Sequence, residues 1–314
     1  MLIAVLGNFM SRNSSESAYV RELNRMGIET VQLQENMTTA SQILLSCENA
    51  DALMWVHTHG WAQEVNMLFV LDELKAKGIP TFAYHLDLWT GTSRESDIYD
   101  HPYFCCEYLF TVDGSLDTRM RNHHWVMPGI ESSELEHPIT PLKCPYDVVF
   151  VGSYDYHPEW PHRQEVVDFL RSIYGDRFTH IGKPGPTVRG KDLTAIYQGS
   201  KVVVGDSFCP RFSHPFYWSD RATETMGRGG FLIHPFVRGM DLFFRDRVHL
   251  RYYQYGDFEG LQKLVDHYLL DSSEEERDRI REDAFQEVAS RHTYAHRLNQ
   301  MLSVMAAKYP KLRK

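Results

Sequence analysis

Three stretches of this chain put polar groups where a ligand could use them. In Ser219-Asp-Arg-Ala-Thr-Glu224 the residue types predict the opening of a short helix capped by Ser219. The glycines of Gly227-Arg-Gly-Gly230 end it before the apolar strand that begins at Phe231. A helix start presents unbonded N–H groups and a partial positive charge, which suits a phosphate. Arg221 adds a guanidinium that can pair with phosphate oxygens. Glu224 follows one turn on, placed to accept two hydroxyl hydrogen bonds, as from the cis diol of a ribose. The plainer alternative is a capped amphipathic helix with a surface ion pair.

The other two stretches lie at strand ends. The apolar run Ala52–Val56 delivers His57, Thr58 and His59, and the run Pro80–Tyr84 delivers His85, Asp87 and then Trp89. A carboxylate at Asp87, partly buried beside Trp89, would have a raised pKa and could orient an acceptor hydroxyl or take its proton; capping of the following loop is the structural alternative. His57 and His85 are the other candidate catalytic groups, against a purely packing role. His57 and His59 resemble a metal pair, but no third ligand has the right spacing, so no metal site is expected.

The elements that must position these groups alternate. A strand over Leu2–Leu6, a helix capped by Ser14 or Ser15 and a strand over Glu29–Leu33 form a β-α-β start. Such a start implies a parallel sheet with ligands at the C-terminal strand ends. The loop Gly7-Asn-Phe-Met-Ser11 lacks the G-x-G-x-x-G dinucleotide fingerprint, which counts against an NAD enzyme. Strands over Tyr108–Val112 and Trp125–Met127 close this half, and the Pro-bearing run Glu131–Pro145 reads as a linker. A second β-α-β-α-β series then starts at Tyr146–Val151, with a helix over His162–Tyr174 and strands over Phe178–Ile181 and Lys201–Val204. The expected domains are 1–135 and 146–314.

Composition agrees with two α/β domains in 314 residues, at 43% hydrophobic and 24% charged. A net charge of −9 argues against a broad electrostatic grip on nucleic acid. No run approaches a membrane span, and the start reads as a strand rather than a signal peptide. The five cysteines form no C-x-x-C pair, so a reduced cytoplasmic protein is expected.

The order of these motifs resembles the GT-B glycosyltransferases, in particular the CgeB-like proteins among the group 1 transferases. The likeness lies in a strand ending Val151-Gly-Ser153, a second ending near Gly182, Val188-Arg-Gly190 before a helix with Leu193-x-x-Ile-Tyr197, Arg221-x-x-Glu224 before Gly227-Arg-Gly-Gly230, and His292-x-Tyr-x-x-Arg-Leu298 in the last helix. It implies two Rossmann-like domains facing a cleft, with the C-terminal helix crossing back to the first. It further implies Val188 and Arg189 beside a nucleotide base, Gly152, Ser153 and Lys183 near a diphosphate, Glu224 at the ribose, and the Ser219 and Asp220 amides at the phosphate. Many retaining members carry a second glutamate eight residues before the ribose glutamate; Phe216 stands there, leaving retention or inversion open. The expected activity is metal-independent transfer of a sugar from a nucleotide-diphosphate donor, a UDP-sugar, to a glycan, lipid, protein, small molecule or modified DNA base. A non-catalytic nucleotide-binding module and a nucleotide-sugar epimerase are the rivals.

Overall fold

The computed structural model describes residues 1–58, 65–116, 120–139, 144–155, 157 and 159–313. The chain divides into two units, Met1–Met127 with Tyr294–Lys314, and Pro128–Thr293.

The first unit holds strands β1 (Leu2–Gly7), β2 (Glu29–Gln34), β3 (Ala52–Trp55), β4 (Thr81–His85), β5 (Tyr108–Thr111) and β6 (His123–Trp125). They form one all-parallel sheet in the order β2-β1-β3-β4-β5-β6. Helices α1 (Ser15–Arg25), α2 (Ala40–Cys47), α3 (Met67–Ala76) and the short α4 (Asp97–Asp100) connect them. Ser14 caps α1 by accepting the Ser17 N–H, and Thr39 with Gln42 forms a capping box on α2. Because side chains alternate across a strand, Ile3, Val5, Met54 and Tyr84 point to one core and Ala4, Leu6, Leu53 and Trp55 to the other.

The second unit holds β7 (Tyr146–Val151), β8 (Phe178–Ile181), β9 (Ser200–Val204), β10 (Leu232–Pro235) and β11 (Arg251–Tyr253), all parallel, in the order β11-β10-β9-β7-β8. Its helices are α5 (His162–Tyr174), α6 (Gly190–Gln198), α7 (Arg221–Gly227), α8 (Phe258–Leu269) and α9 (Glu274–Arg291). The chain then returns to the first unit as α10 (Tyr294–Ala306), whose Leu298, Met301, Leu302 and Met305 lie in the core with Ile3 and Tyr19. Two parallel α/β domains with a returning C-terminal helix are the GT-B plan.

The units part at Pro128, ahead of the run read from sequence as a linker. Part of that run is tied into the second unit. The Glu136 amide donates to Gly227 O, and Glu134 pairs with the buried Arg228.

Met301 is fully buried where α10 meets the first sheet. Met301→Ala is expected to cost that unit about 2–5 kcal/mol. The readout is faster amide hydrogen exchange in β1 and β4 with β7 and β9 unchanged; equal acceleration in both sheets would contradict separate cores.

Candidate functional site

In the second unit the chemistry gathers at the C-terminal ends of β7, β8 and β9. Gly182 ends β8 at φ +136, so close to its neighbour that an added Cβ would fall 2.2 Å from Gly152 O. Only glycine permits that approach. The Gly152 amide donates to Ile181 O, the Tyr154 amide to Lys183 O, and His180 Nε2 lies 2.8 Å from Gly152 O. Two guanidiniums flank this turn. A Cβ at Gly152 would sit 3.9 Å from Arg163 Nη1 and 3.9 Å from Arg221 Nε. Arg163 is held by Asp206, the residue two past β9, whose buried carboxylate also accepts from Trp160 Nε1 (2.9 Å) and pairs with His162 Nδ1 (3.1 Å). Burial alone would raise the Asp206 pKa, but His162, Arg163 and Trp160 outweigh it and hold the group below the usual carboxylate range.

Arg221 opens α7 and Glu224 lies one turn along it. Their charged atoms stand 3.9 Å apart, too far for a hydrogen bond. No described residue donates to the Glu224 carboxylate, and Arg221 Nη1 is buried with no hydrogen-bond partner among the described residues. Beside them a cavity of about 10 Å³, lined by Tyr197, Asp206, Arg221 and His234, has room for one water-sized group. Burial pushes the Tyr197 hydroxyl up to about 12.

The start of α7 differs from the sequence expectation. Asp220 occupies the cap position without a capping side-chain bond, its Oδ1 accepting instead from Ser219 Oγ, while Ser219 Oγ accepts the Arg221 N–H at 3.3 Å. The Ser219 amide is already engaged, donating to Ser207 Oγ at 2.9 Å. Of the two amides expected at a phosphate, only that of Asp220 lacks a described acceptor. A seven-residue helix also offers little dipole, so guanidiniums carry the positive charge here. Lys183 and Arg189 are exposed, Val188 is half-buried against the core of α6, and Ser153 is half-buried beside Gly182.

In the first unit, His57 Nδ1 pairs with Glu35 Oε1 at 2.6 Å, just past β3 and β2. Glu35 also accepts from Trp55 Nε1 (2.8 Å) and the Thr58 amide (3.0 Å). The His101 ring lies 4.5 Å from that of His57, and burial, with the His57 charge, lowers the His101 pKa. Tyr103 Oη and Thr58 Oγ1 are buried there without a partner among the described residues. His85 is buried against Trp89 and Tyr103, its pKa well below the usual value through burial and nearby Arg94. It is therefore a neutral imidazole.

The surroundings of Asp87 depart from the sequence reading. Its side chain is 30% exposed and faces Arg94 Nη1 at 3.7 Å, and Arg94 in turn lies over Trp89. A cation is among its neighbours. His59 lies outside the described residues. Sequence reasoning missed Glu35 and Arg163. The rule that ligands sit at C-terminal strand ends would have found Glu35, but Arg163 is one of two arginines on an amphipathic helix.

Comparison with known proteins decides the family. The sequence pattern of the family described as glycosyl transferase-like matches residues 147–303, half of the chain. The chain belongs to this glycosyl transferase-like family. No curated protein sequence matches it. Among solved structures, an alpha-glucosyltransferase in complex with UDP and a 13-mer DNA aligns at TM-score 0.73 and 10% identity, over 98% of this chain and 100% of that one. Sucrose-phosphate synthase from Thermosynechococcus elongatus aligns at 0.64 and 11%, over 98% and 100%. HepE from Anabaena, in complex with UDP and glucose, aligns at 0.63 and 11%, over 98% and 100%. At such identities the likeness is one of fold, and that fold is GT-B. Among the described residues, no group of three His, Cys, Asp or Glu side chains is disposed to hold a metal ion. Among the described residues, no helix is long and apolar enough to cross a membrane.

Burial lifts the Glu224 pKa above the ordinary carboxylate range; Asp220 adds to the rise, and Arg221 and Arg228 oppose it. The folded transferase therefore binds a proton at Glu224 more tightly than the unfolded chain. Ionised Glu224 costs stability at neutral pH, and the cost vanishes as pH falls through the raised pKa. Glu224→Gln is expected to raise the Tm of the ligand-free protein at pH 7, with the gain disappearing below about pH 4. A lower Tm at pH 7 would show that the carboxylate holds the fold together.

Proposed function

We propose that this transferase moves a sugar from a nucleoside-diphosphate donor, with uracil as the base. The observation that carries the reading is the convergence of Arg163 and Arg221 on the Gly152 turn, with an unbonded carboxylate at Glu224. The guanidiniums would neutralise the diphosphate as charge builds on its departing oxygen, the work a divalent ion does elsewhere. Glu224 would accept the ribose hydroxyls, with Val188 and Arg189 beside the base and Gly152, Ser153, Lys183 and the Asp220 amide along the diphosphate. The UDP complexes of HepE and of the alpha-glucosyltransferase support a uridine donor.

On the acceptor side we place His57, His85 and Asp87. Glu35 pairs with His57 Nδ1 and so fixes the orientation of the ring. The His57 ring would orient an acceptor hydroxyl. We propose retention of configuration, the departing phosphate oxygen taking that hydroxyl's proton, so that His57 orients rather than deprotonates.

Calorimetric titration with UDP tests the donor site. Glu224→Ala removes charged hydrogen bonds of about 1.5–3 kcal/mol each. At least a tenfold loss of UDP affinity is expected in a folded variant. Unchanged affinity would remove the ribose from Glu224. The metal question has its own experiment. Once mass spectrometry of candidate acceptors finds a product, turnover is expected to persist in EDTA; activity abolished by chelator and restored by manganese would contradict the guanidinium account.

A further inference from the structure

A second cavity of the Pro128–Thr293 unit, about 150 Å³ in volume, is lined by residues from the loops that follow β9, β10 and β11. Phe212 and Tyr255 stack at 5.5 Å on its wall, with Trp160 against both. This wall is bonded to the phosphate cradle. Trp160 donates to Asp206, which also holds Arg163, and Tyr255 Oη donates to Ser207 O, whose hydroxyl takes the Ser219 amide. The loop is held in an uncommon conformation, with Arg211, Phe212 and Phe216 at φ 57, 53 and 53. The Phe216 amide donates to Arg238 O, which ties it to the opposite wall. Non-glycine residues in this region persist only where the surroundings over-determine them, and they cluster at ligand sites.

The chemistry of the lining is one-sided. No described lining residue is an aspartate or glutamate, whereas Arg238, Gln254 and Ser213 all offer donors. Arg238 forms no ion pair with any described carboxylate. Hydroxyls of a neutral sugar are gripped most strongly by charged acceptors, and this wall has none. A guanidinium instead matches a carboxylate in bidentate fashion. The aromatic faces give apolar surface for the C–H side of a pyranose, and the volume suits one ring rather than a larger ligand.

We propose that this cavity takes the sugar ring of the donor and that Arg238 selects a sugar bearing a carboxylate, a uronic acid. The inference rests on the nucleotide-sugar reading of the same unit. The full chain is titrated with UDP, UDP-glucose and UDP-glucuronate. UDP-glucuronate is expected to bind at least tenfold more tightly than UDP-glucose, and Arg238→Gln to abolish that preference while UDP affinity stays unchanged. If UDP binds but UDP-glucose equals or exceeds UDP-glucuronate, the uronate assignment is overturned and the donor site stands. A preference that survives Arg238→Gln overturns the role of Arg238. Failure of UDP itself to bind removes the nucleotide reading and this inference together.

Discussion

One buried carboxylate organises the second unit. Asp206 sits just past the middle strand of the sheet, out of water, and would be costly there unless every oxygen found a donor. Trp160, His162 and Arg163 supply them. Those three residues span the break before α5 and its first turn, so the carboxylate fixes where that helix begins. It aims Arg163 at the Gly152 turn and sets Trp160 as the backing of an aromatic wall. Breaking such a buried ion pair by removing one partner typically costs about 3–5 kcal/mol, so the geometry of the cradle is firmly specified.

The first unit repeats the device with different residues. Glu35, just past β2, accepts from Trp55 and Thr58 and pairs with His57, joining two strand ends through a single carboxylate. In both units an acid just past a strand end holds its neighbours in place. Glu224 is the contrast. Half-buried and raised in pKa, its carboxylate accepts no hydrogen bond from any described residue.

Much of this was legible in the sequence because period-two and 3.6-residue patterns are local. The α5 bounds, the β7 strand and the second β-α-β series follow from apolar spacing alone, and the motif order carried the family. What escaped reading was set by tertiary contact. Ser219 was expected to lend its amide to a phosphate, but Ser207, twelve residues earlier in the chain, takes it. Asp87 was expected against an indole, yet Arg94 folds back over Trp89 to face it. The run from Glu131 looked like a free linker because Pro and polar residues dominate it. Partners as distant as Arg228 and Gly227 bind it to the second unit.

The central claim is that the two arginines and Glu224 form one donor site. A crystal structure of the protein with UDP tests it most directly. The account predicts diphosphate oxygens within hydrogen-bonding distance of both Arg163 and Arg221, and the ribose hydroxyls on Glu224. A diphosphate bound away from the Gly152 turn, with Glu224 still unbonded, would contradict it.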